Sequence, residues 1–534
     1  MKSAFAKKIR RQFFQVDLIL LSITILFLTF LVLSSVTKNY DNFLYGKYDL
    51  GNMAQVSWNT LHGRFMELTD RFGSNMPRWG MSHFDFILVI LSPLLLIYKS
   101  PLSLVYAEKI ILISSVLPVF FISKRIIGGR FIPTIIAFSY LLNPLMGNLL
   151  LKTTFHGVSF SAGLFVWLFW LLVRNDYLVK DKRDFKNILL CGILLILILA
   201  GKEEIGAIMA LFSAFMWFKN RKLAYAVFLI SFLWFVISFF IIIPDGAKYR
   251  VESVNSFINK INAPPESASE VVSDNYFLNR YSYLGDGYLE IMLSAVKKPG
   301  LIKYMILRED NIKTLTLLFA PMLYISIFNP LNLILLPEYM INLLSSEPIF
   351  LYDSHRVSFV YIVNFLSYIL VYAFLHRKLG SHKKLAIVVR ILPFAALFST
   401  IMFSAKNNPL FRHDIYTQSL RYSEESKSES VLLDKDCLGD VVDLVERIDP
   451  KSYSGPNIIG AKTSLREKNS IFPAGVEGAD LIVANALEEK VYEPLNVTDW
   501  YQYNQSVLQK LEESSEYSKV LPCSGFSVFK RINQ

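Results

Sequence analysis

Apolar residues in this chain fall in long runs separated by short polar connectors, and many runs approach the roughly 20 residues a helix needs to cross a bilayer. Runs near 16–36, 102–123, 131–151, 158–173, 187–200, 205–218, 223–243, 313–328, 330–344, 357–376 and 385–404 predict spanning helices. A shorter run, 84–98, is interrupted by Ser92-Pro93 and predicts a re-entrant or membrane-surface helix. The expected fold class is mainly α: a polytopic membrane protein of about eleven spans.

Basic residues beside spans mark the cytoplasmic side. If 84–98 does not cross, the connectors KRIIGGR (124–130), RNDYLVKDKRDFK (174–186), KNRK (219–222) and HRKLGSHKK (376–384) all lie inside with the basic N-terminus. If it crosses, they all move outside. The first reading puts the N-terminus in the cytoplasm and the C-terminal segment outside a cytoplasmic membrane. The segments 37–83, 152–157, 201–204, 244–312, 345–356 and 405–534 then reach the external face. The stretch after MKSAFAKKIRRQ is too long for a signal-peptide core and lacks a small-x-small cleavage site, which predicts an uncleaved first span.

Within the first external segment, KYDLGNMAQVSWNTLHG (47–63) has helical periodicity. At about 100° per residue, Asp49, Asn52, Gln55, Asn59 and His62 share one side, and Leu50, Met53, Ala54, Trp58 and Leu61 the other. This predicts an amphipathic helix on the membrane surface, its polar stripe facing water or a cavity. MSHFD (81–85) brings His83 and Asp85 to the start of the next apolar run, and a carboxylate at a membrane boundary is a general base if it reaches a hydroxyl.

Composition narrows the classes. The chain has 534 residues, 53% of them hydrophobic, and a net charge of +11. The positive charge gathers in the connectors between spans, which argues for membrane orientation and against nucleic acid. Three cysteines are present, of which Cys191 lies in an apolar run, while Cys437 and Cys523 could pair in an oxidising compartment. His83 and Asp85 are two residues apart, and the His and Cys positions lack zinc spacing, so no metal site is expected; a divalent cation between Asp49 and Asp85 is the alternative. No phosphate-binding glycine loop or Gly-x-Ser-x-Gly elbow occurs.

The motifs YDLGNMAQVSWNTLHG, SHFD, FHGVSFSAG (155–163), GKEEIG (201–206), RYSYLG (280–285), NPLNLILLPEYMINLLS (329–345) and NSIFPAGVEGADLIVAN (469–485), in this order, resemble the polytopic proteins of domain-of-unknown-function family 2079 (DUF2079). The resemblance runs from about residue 40 to 490. That family more distantly resembles the GT-C glycosyltransferases, whose catalytic Asp or Glu lies in the first external loop and whose sugar donor is commonly a polyprenyl phosphate. By that likeness Asp49 matches the catalytic position and Asp85 is the reserve. The HFD here is not the His-Pro-Pro type of motif found in protein mannosyltransferases, which leaves the acceptor, whether glycan, lipid or protein, open.

The remaining candidates for substrate contact are Asn52, Gln55, His83, His156, Lys202, Glu203, Glu204, Arg280, Tyr281, His355 and Arg356. Lys202 would meet a lipid-linked phosphate while Glu203 or Glu204 orients a sugar hydroxyl; the alternative is an internal Lys202–Glu ion pair holding a tight hairpin. Arg280 and Arg356 offer paired donors suited to phosphate oxygens, against the alternatives of stacking on Tyr281 or Tyr283 and of anchoring a span. His156 either touches substrate or caps the following helix.

From about 405 the composition turns polar. SVLLD (430–434), NIIGA (457–461), ADLIVA (479–484) and FSVFK (526–530) read as strands, with helices near 438–448 and 499–514. The expected organisation is a transmembrane part over 1–404, with external loops 37–83 and 244–312, and a small external α/β domain over 405–534. Asn496 and Asn504 begin glycosylation sequons. The leading expectation is a membrane glycosyltransferase using a polyprenyl-phosphate-linked sugar and surrounded by membrane lipid. The alternatives are a transporter or flippase of a lipid-linked or small polar solute, and a non-catalytic envelope assembly protein.

Overall fold

The computed structural model describes residues 2–176, 185–218, 220–264, 276–412, 435–485, 492, 495, 500–523 and 526–532. The run 430–434, the sequon at 496–498 and the side chain of Cys523, hence the Cys437–Cys523 pairing, lie outside these residues. The chain forms two compact units. The first comprises Met1–Ser35, Tyr106–Val236 and Arg280–Ser419, and the second Val36–Val105, Ile237–Asn279 and Leu420–Gln534.

Among the described residues, six helices are long and apolar enough to cross a membrane: Gln15–Asp41, Leu102–Ile126, Gly157–Arg174, Arg221–Ile261, His355–Leu379 and Lys384–Asn407. A seventh is the pair Ile132–Leu141 and Pro144–Leu151, bent by 47°. The bend has a local cause. Asn143 accepts a hydrogen bond from the backbone of Leu145 and Pro144 opens the second helix, so the first helix ends and a new one is capped at once. Ile87–Ile97, Phe185–Leu199 and Ile205–Trp217 are shorter apolar helices. The apolar runs 313–328 and 330–344 do not form long helices. Pro321, Pro330 and Pro337 divide them into Glu309–Phe319, three short turns of tighter helix, and Leu336–Leu343, because each proline removes a backbone donor.

In the first unit the helices pack through aromatic and small polar contacts. Tyr140 and Tyr361 stack at 5.5 Å, and the Tyr361 hydroxyl donates to the Tyr140 carbonyl at 2.6 Å. Gly147 faces Asn408 so closely that a Cβ would stand 1.8 Å from the Asn408 amide oxygen, which explains glycine there.

The second unit is built around a five-stranded sheet of order β4-β3-β5-β7-β6, with β3 (Ser452–Gly455), β4 (Lys468–Ile471), β5 (Leu481–Ala484), β6 (Tyr517–Cys523) and β7 (Phe526–Arg531). β3 runs parallel to β4 and β5, whereas β7 is antiparallel to β5 and β6. All four residues of β5 are buried, as expected when both faces of a strand are covered. Leu481 and Val483 meet Leu438, Val441 and Val445 of the helix Lys435–Ile448. Ile482 and Ala484 meet Val507 and Leu511 of the helix Trp500–Glu513. The α/β character expected of the tail is therefore present, with NIIGA forming a turn after β3 instead of a strand.

This sheet does not stand alone in its unit. Phe43 belongs to the same apolar cluster as Leu438 and Val483. Phe72, Val254, Phe257 and Ile258 form another with Ile471, Tyr492 and Trp500. The hairpin of β1 (Glu67–Thr69) and β2 (Asn75–Pro77) is fixed beside β4 by the Asn469 amide, which donates to the Thr69 hydroxyl at 3.0 Å.

Candidate functional site

In the second unit, Lys47–Gly51 forms one wide helical turn that continues as the helix Asn52–Leu61. The periodicity of the sequence is thus realised, but its amide stripe faces protein. Gln55 donates to the Thr69 hydroxyl at 2.9 Å and to the Glu467 carbonyl at 3.1 Å, and accepts from the Thr69 backbone at 3.0 Å. Asn59 donates to the Glu67 and Glu467 carbonyls. Asn52 donates to the Tyr48 carbonyl and accepts from Lys47 at 2.8 Å. Asn52 and Gln55 are 1% and 0% exposed, so these amides satisfy buried backbone and brace the helix.

Asp49 differs from its neighbours. Its side chain is exposed, and no hydrogen bond or ion pair ties its carboxylate to any described residue. Protein crowding around it raises its pKa above the ordinary carboxylate range, and the Arg78 guanidinium draws it partly back. Asp85 is buried and held by Arg78, whose Nε and Nη2 donate to its Oδ2 at 3.0 and 2.6 Å. His83 is half-buried, its ring 4.9 Å from that of Phe277. Around Arg78 the backbone is set by Arg250, which donates to the Gly80 carbonyl and the Ser82 hydroxyl.

Lys47 is a charged residue the wheel overlooked. It is 1% exposed and donates to Asn52 and to the Thr69 carbonyl. Burial pushes its pKa down to about 7 against the pull of Asp70. Asp70 in turn accepts from the Ser253 hydroxyl at 2.7 Å. The sequence signal was a lysine directly beside the YDLG motif; nothing in the chain pattern indicated its burial.

The first unit gathers a second set. Lys202 Nζ lies 2.6 Å from Glu204 Oε1. Burial opposes the Lys202 charge, but Glu204 and Glu203 outweigh it and raise its pKa. This is the internal ion pair foreseen as the alternative for GKEEIG; Glu203 is buried beside it. His156 and His355 stack with centroids 3.6 Å apart and ring planes within 10°. His156 is pushed down to about 3, first by burial and further by Lys109, Lys202 and Arg356, so its imidazole is neutral. Its side chain makes no cap to the helix that follows. Instead its backbone amide is accepted by Glu108 at 3.0 Å, which places a carboxylate at that helix's N-terminus.

Arg280 reaches Glu347 at 2.7 Å, and the Tyr281 hydroxyl donates to the Ile341 carbonyl at 2.6 Å. Arg356 is half-buried. Its guanidinium makes no hydrogen bond or ion pair with the described residues, although Lys202, Glu338, His156 and Tyr281 lie within its electrostatic reach. Glu338 is 4% exposed; Asn342 donates to its Oε2 at 2.8 Å, and its Oε1 has no hydrogen-bond partner among the described residues.

Besides Lys47, four members of these sets escaped the sequence reading. Arg78 carried no signal of its own. Glu338 stood inside the motif LLPEYM, and Glu108-Lys109 interrupted an apolar run, which is the usual mark of an intramembrane polar group with a role. Lys109 donates to the Leu149 and Thr153 carbonyls at 2.8 and 2.9 Å and to Glu108 at 3.3 Å.

Comparison with known proteins gives one family. The family described as "Predicted membrane protein (DUF2079)" matches residues 39–429. No curated protein matches the chain. Among solved structures, the apo oligosaccharyltransferase of Archaeoglobus fulgidus is similar at 12% identity and a TM-score of 0.41, over 91% of this chain and 71% of that one. The same organism's AglB, in complex with an inhibitory peptide and a dolichol-phosphate, is similar at 11% identity and 0.42, over 92% and 70%. ArnT from Cupriavidus metallidurans, bound to undecaprenyl phosphate, is similar at 10% identity and 0.47, over 96% and 98%.

Proposed function

We propose that this chain, which belongs to the DUF2079 family of membrane proteins, transfers a sugar from a polyprenyl-phosphate donor to an acceptor hydroxyl at the outer face of a cytoplasmic membrane. The observation that carries the proposal is the state of Asp49: a carboxylate after the first span that is exposed, unpaired among the described residues and raised in pKa. These are the properties of a base available to substrate and poised closer to neutrality than an ordinary aspartate.

Asp49 takes the proton of the acceptor hydroxyl as its oxygen bonds to the anomeric carbon. The bond from that carbon to the phosphate oxygen breaks, and the electron pair leaves with the polyprenyl phosphate. In the first unit, taken by itself, a lipid phosphate is assigned to Arg356. Arg356 is the half-buried cation whose paired donors are not already engaged by described residues, and a planar guanidinium suits phosphate oxygens. Glu338 Oε1, buried without a partner among the described residues, is suited to accept from a sugar hydroxyl.

The test is purified protein in lipid nanodiscs supplied with polyprenyl-phosphate-linked hexoses and pentoses and a mixed pool of glycan, lipid and peptide acceptors, with products followed by mass spectrometry. A glycosylated acceptor together with free polyprenyl phosphate supports the reading. Stable donor with no product from any pool rejects it.

A further inference from the structure

The helices Tyr288–Lys297 and Pro299–Ile306, in the first unit, have two apolar faces where a loop segment in water needs one. The inner face is accounted for. Ile291, Leu301, Ile302 and Met305 pack with Tyr281, Tyr283, Leu284 and Leu344. The outer face carries Leu289, Met292, Leu293 and Val296, at 72%, 63%, 47% and 80% exposure. Their spacing of i, i+3, i+4 and i+7 makes one continuous stripe along the helix. Tyr304 on the next helix and Leu307 just after it are 69% and 54% exposed, with Glu309 and Asp310 following.

Apolar surface left in water is costly in proportion to its area, and a contiguous stripe of large residues marks an interaction surface. Its border identifies the partner. Lys297, Lys298 and Lys303 are all exposed at the junction and along the second helix, and Glu290 is the acid on the first helix, accepting the Asp286 amide at 3.0 Å. An apolar stripe bordered by lysines with an aromatic hydroxyl beside it matches the acyl boundary and anionic headgroups of a bilayer.

We infer that the segment 288–307 is an interfacial helix pair whose outer stripe lies in the membrane surface, with Lys297, Lys298 and Lys303 at the level of the headgroups. The inference does not depend on the transfer reaction. It gives this unit a second type of membrane contact beside its spanning helices: a shallow one, lying along the surface.

The experiment places an environment-sensitive fluorophore on single cysteines, Met292→Cys, Val296→Cys and Glu290→Cys, in the full chain reconstituted in vesicles containing one-third anionic lipid. The parent chain, labelled in the same way, sets the background. Probes at 292 and 296 are expected to emit to the blue of the probe at 290. They are also expected to be quenched at least twofold more by lipids carrying a nitroxide high on the acyl chain than by aqueous iodide. Iodide quenching equal to that at 290 overturns the inference. So does protection from both quenchers, which would mean that a second copy of the chain covers the stripe. An unfolding midpoint in detergent equal to that of the parent chain shows that each variant folds.

Discussion

Arg78 grips Asp85 with two guanidinium nitrogens on one carboxylate oxygen, at 3.0 and 2.6 Å, and acts on Asp49 only through its field. Two aspartates of one segment thus have different fates. Removing one partner of a buried ion pair leaves the other charge uncompensated. Asp85→Asn is therefore expected to lower stability by about 3 kcal/mol, measured as a fall in the midpoint of detergent-solubilised unfolding, whereas Asp49→Asn leaves the midpoint unchanged or higher. Equal losses for the two would contradict this division of roles.

The sign of the pH dependence follows from the same pair. Crowding raises the Asp49 pKa and Arg78 lowers it. As a base, Asp49 works only when ionised, so kcat/KM is expected to climb with pH through a limb above the usual carboxylate range of roughly 4. Arg78→Gln removes the opposing charge and moves the limb to higher pH, while Arg78→Lys keeps it near its original place. The linked stability effect has the matching sign. The native state holds this proton more tightly than the unfolded chain, so the contribution is complete below the unfolded pKa and lost as pH rises through the folded one. A pH–rate series on the three proteins checks the order of the limbs.

Arg280 and Arg356 both follow polar stretches between apolar runs, and the sequence could not rank them. The structure engages Arg280 with Glu347 at 2.7 Å and gives the Arg356 guanidinium no such partner among the described residues. Arg356→Gln is expected to weaken undecaprenyl phosphate binding by about tenfold or more, the scale of one charge-assisted hydrogen bond, and Arg280→Gln by less than threefold. Titration of the lipid phosphate followed by native mass spectrometry separates them.

Lys109 sits inside the apolar helix Leu102–Ser114, fully buried, with its ammonium on Glu108 and the Leu149 and Thr153 carbonyls. A transport mechanism would look to such a pair for mobile charge, but here its bonds close the end of one helix and hold the start of another. Lys109→Met is expected to cost about 3 kcal/mol by stranding Glu108, and the double change Glu108→Gln with Lys109→Met to cost clearly less. Thermal unfolding of the two variants measures the difference.

The spanning helices were legible because twenty apolar residues in a row have few other uses, and the 47–63 helix because its period is 3.6. The short turns over 320–335 were hidden by hydropathy, which counts Pro321 and Pro330 as minor interruptions although each removes a backbone donor. The polar stripe of Asn52, Gln55 and Asn59 was legible as a stripe but not by destination. Its partners, the Thr69 hydroxyl and the Glu467 carbonyl, come from a hairpin and from a strand edge some four hundred residues away. Long-range pairing of that kind leaves no local mark. It also hid the sharing of the tail's apolar clusters with Phe43, Phe72 and Phe257.

The central claim is that Asp49 removes the acceptor proton. The most direct measurement compares single-turnover transfer from a polyprenyl-phosphate-linked sugar by the parent protein and by Asp49→Asn, both reconstituted and matched for unfolding midpoint and donor binding. The account predicts a loss of at least 10³-fold for Asn, in the upper range for a positioned base, with donor binding intact. Transfer by Asp49→Asn within tenfold of the parent would contradict it.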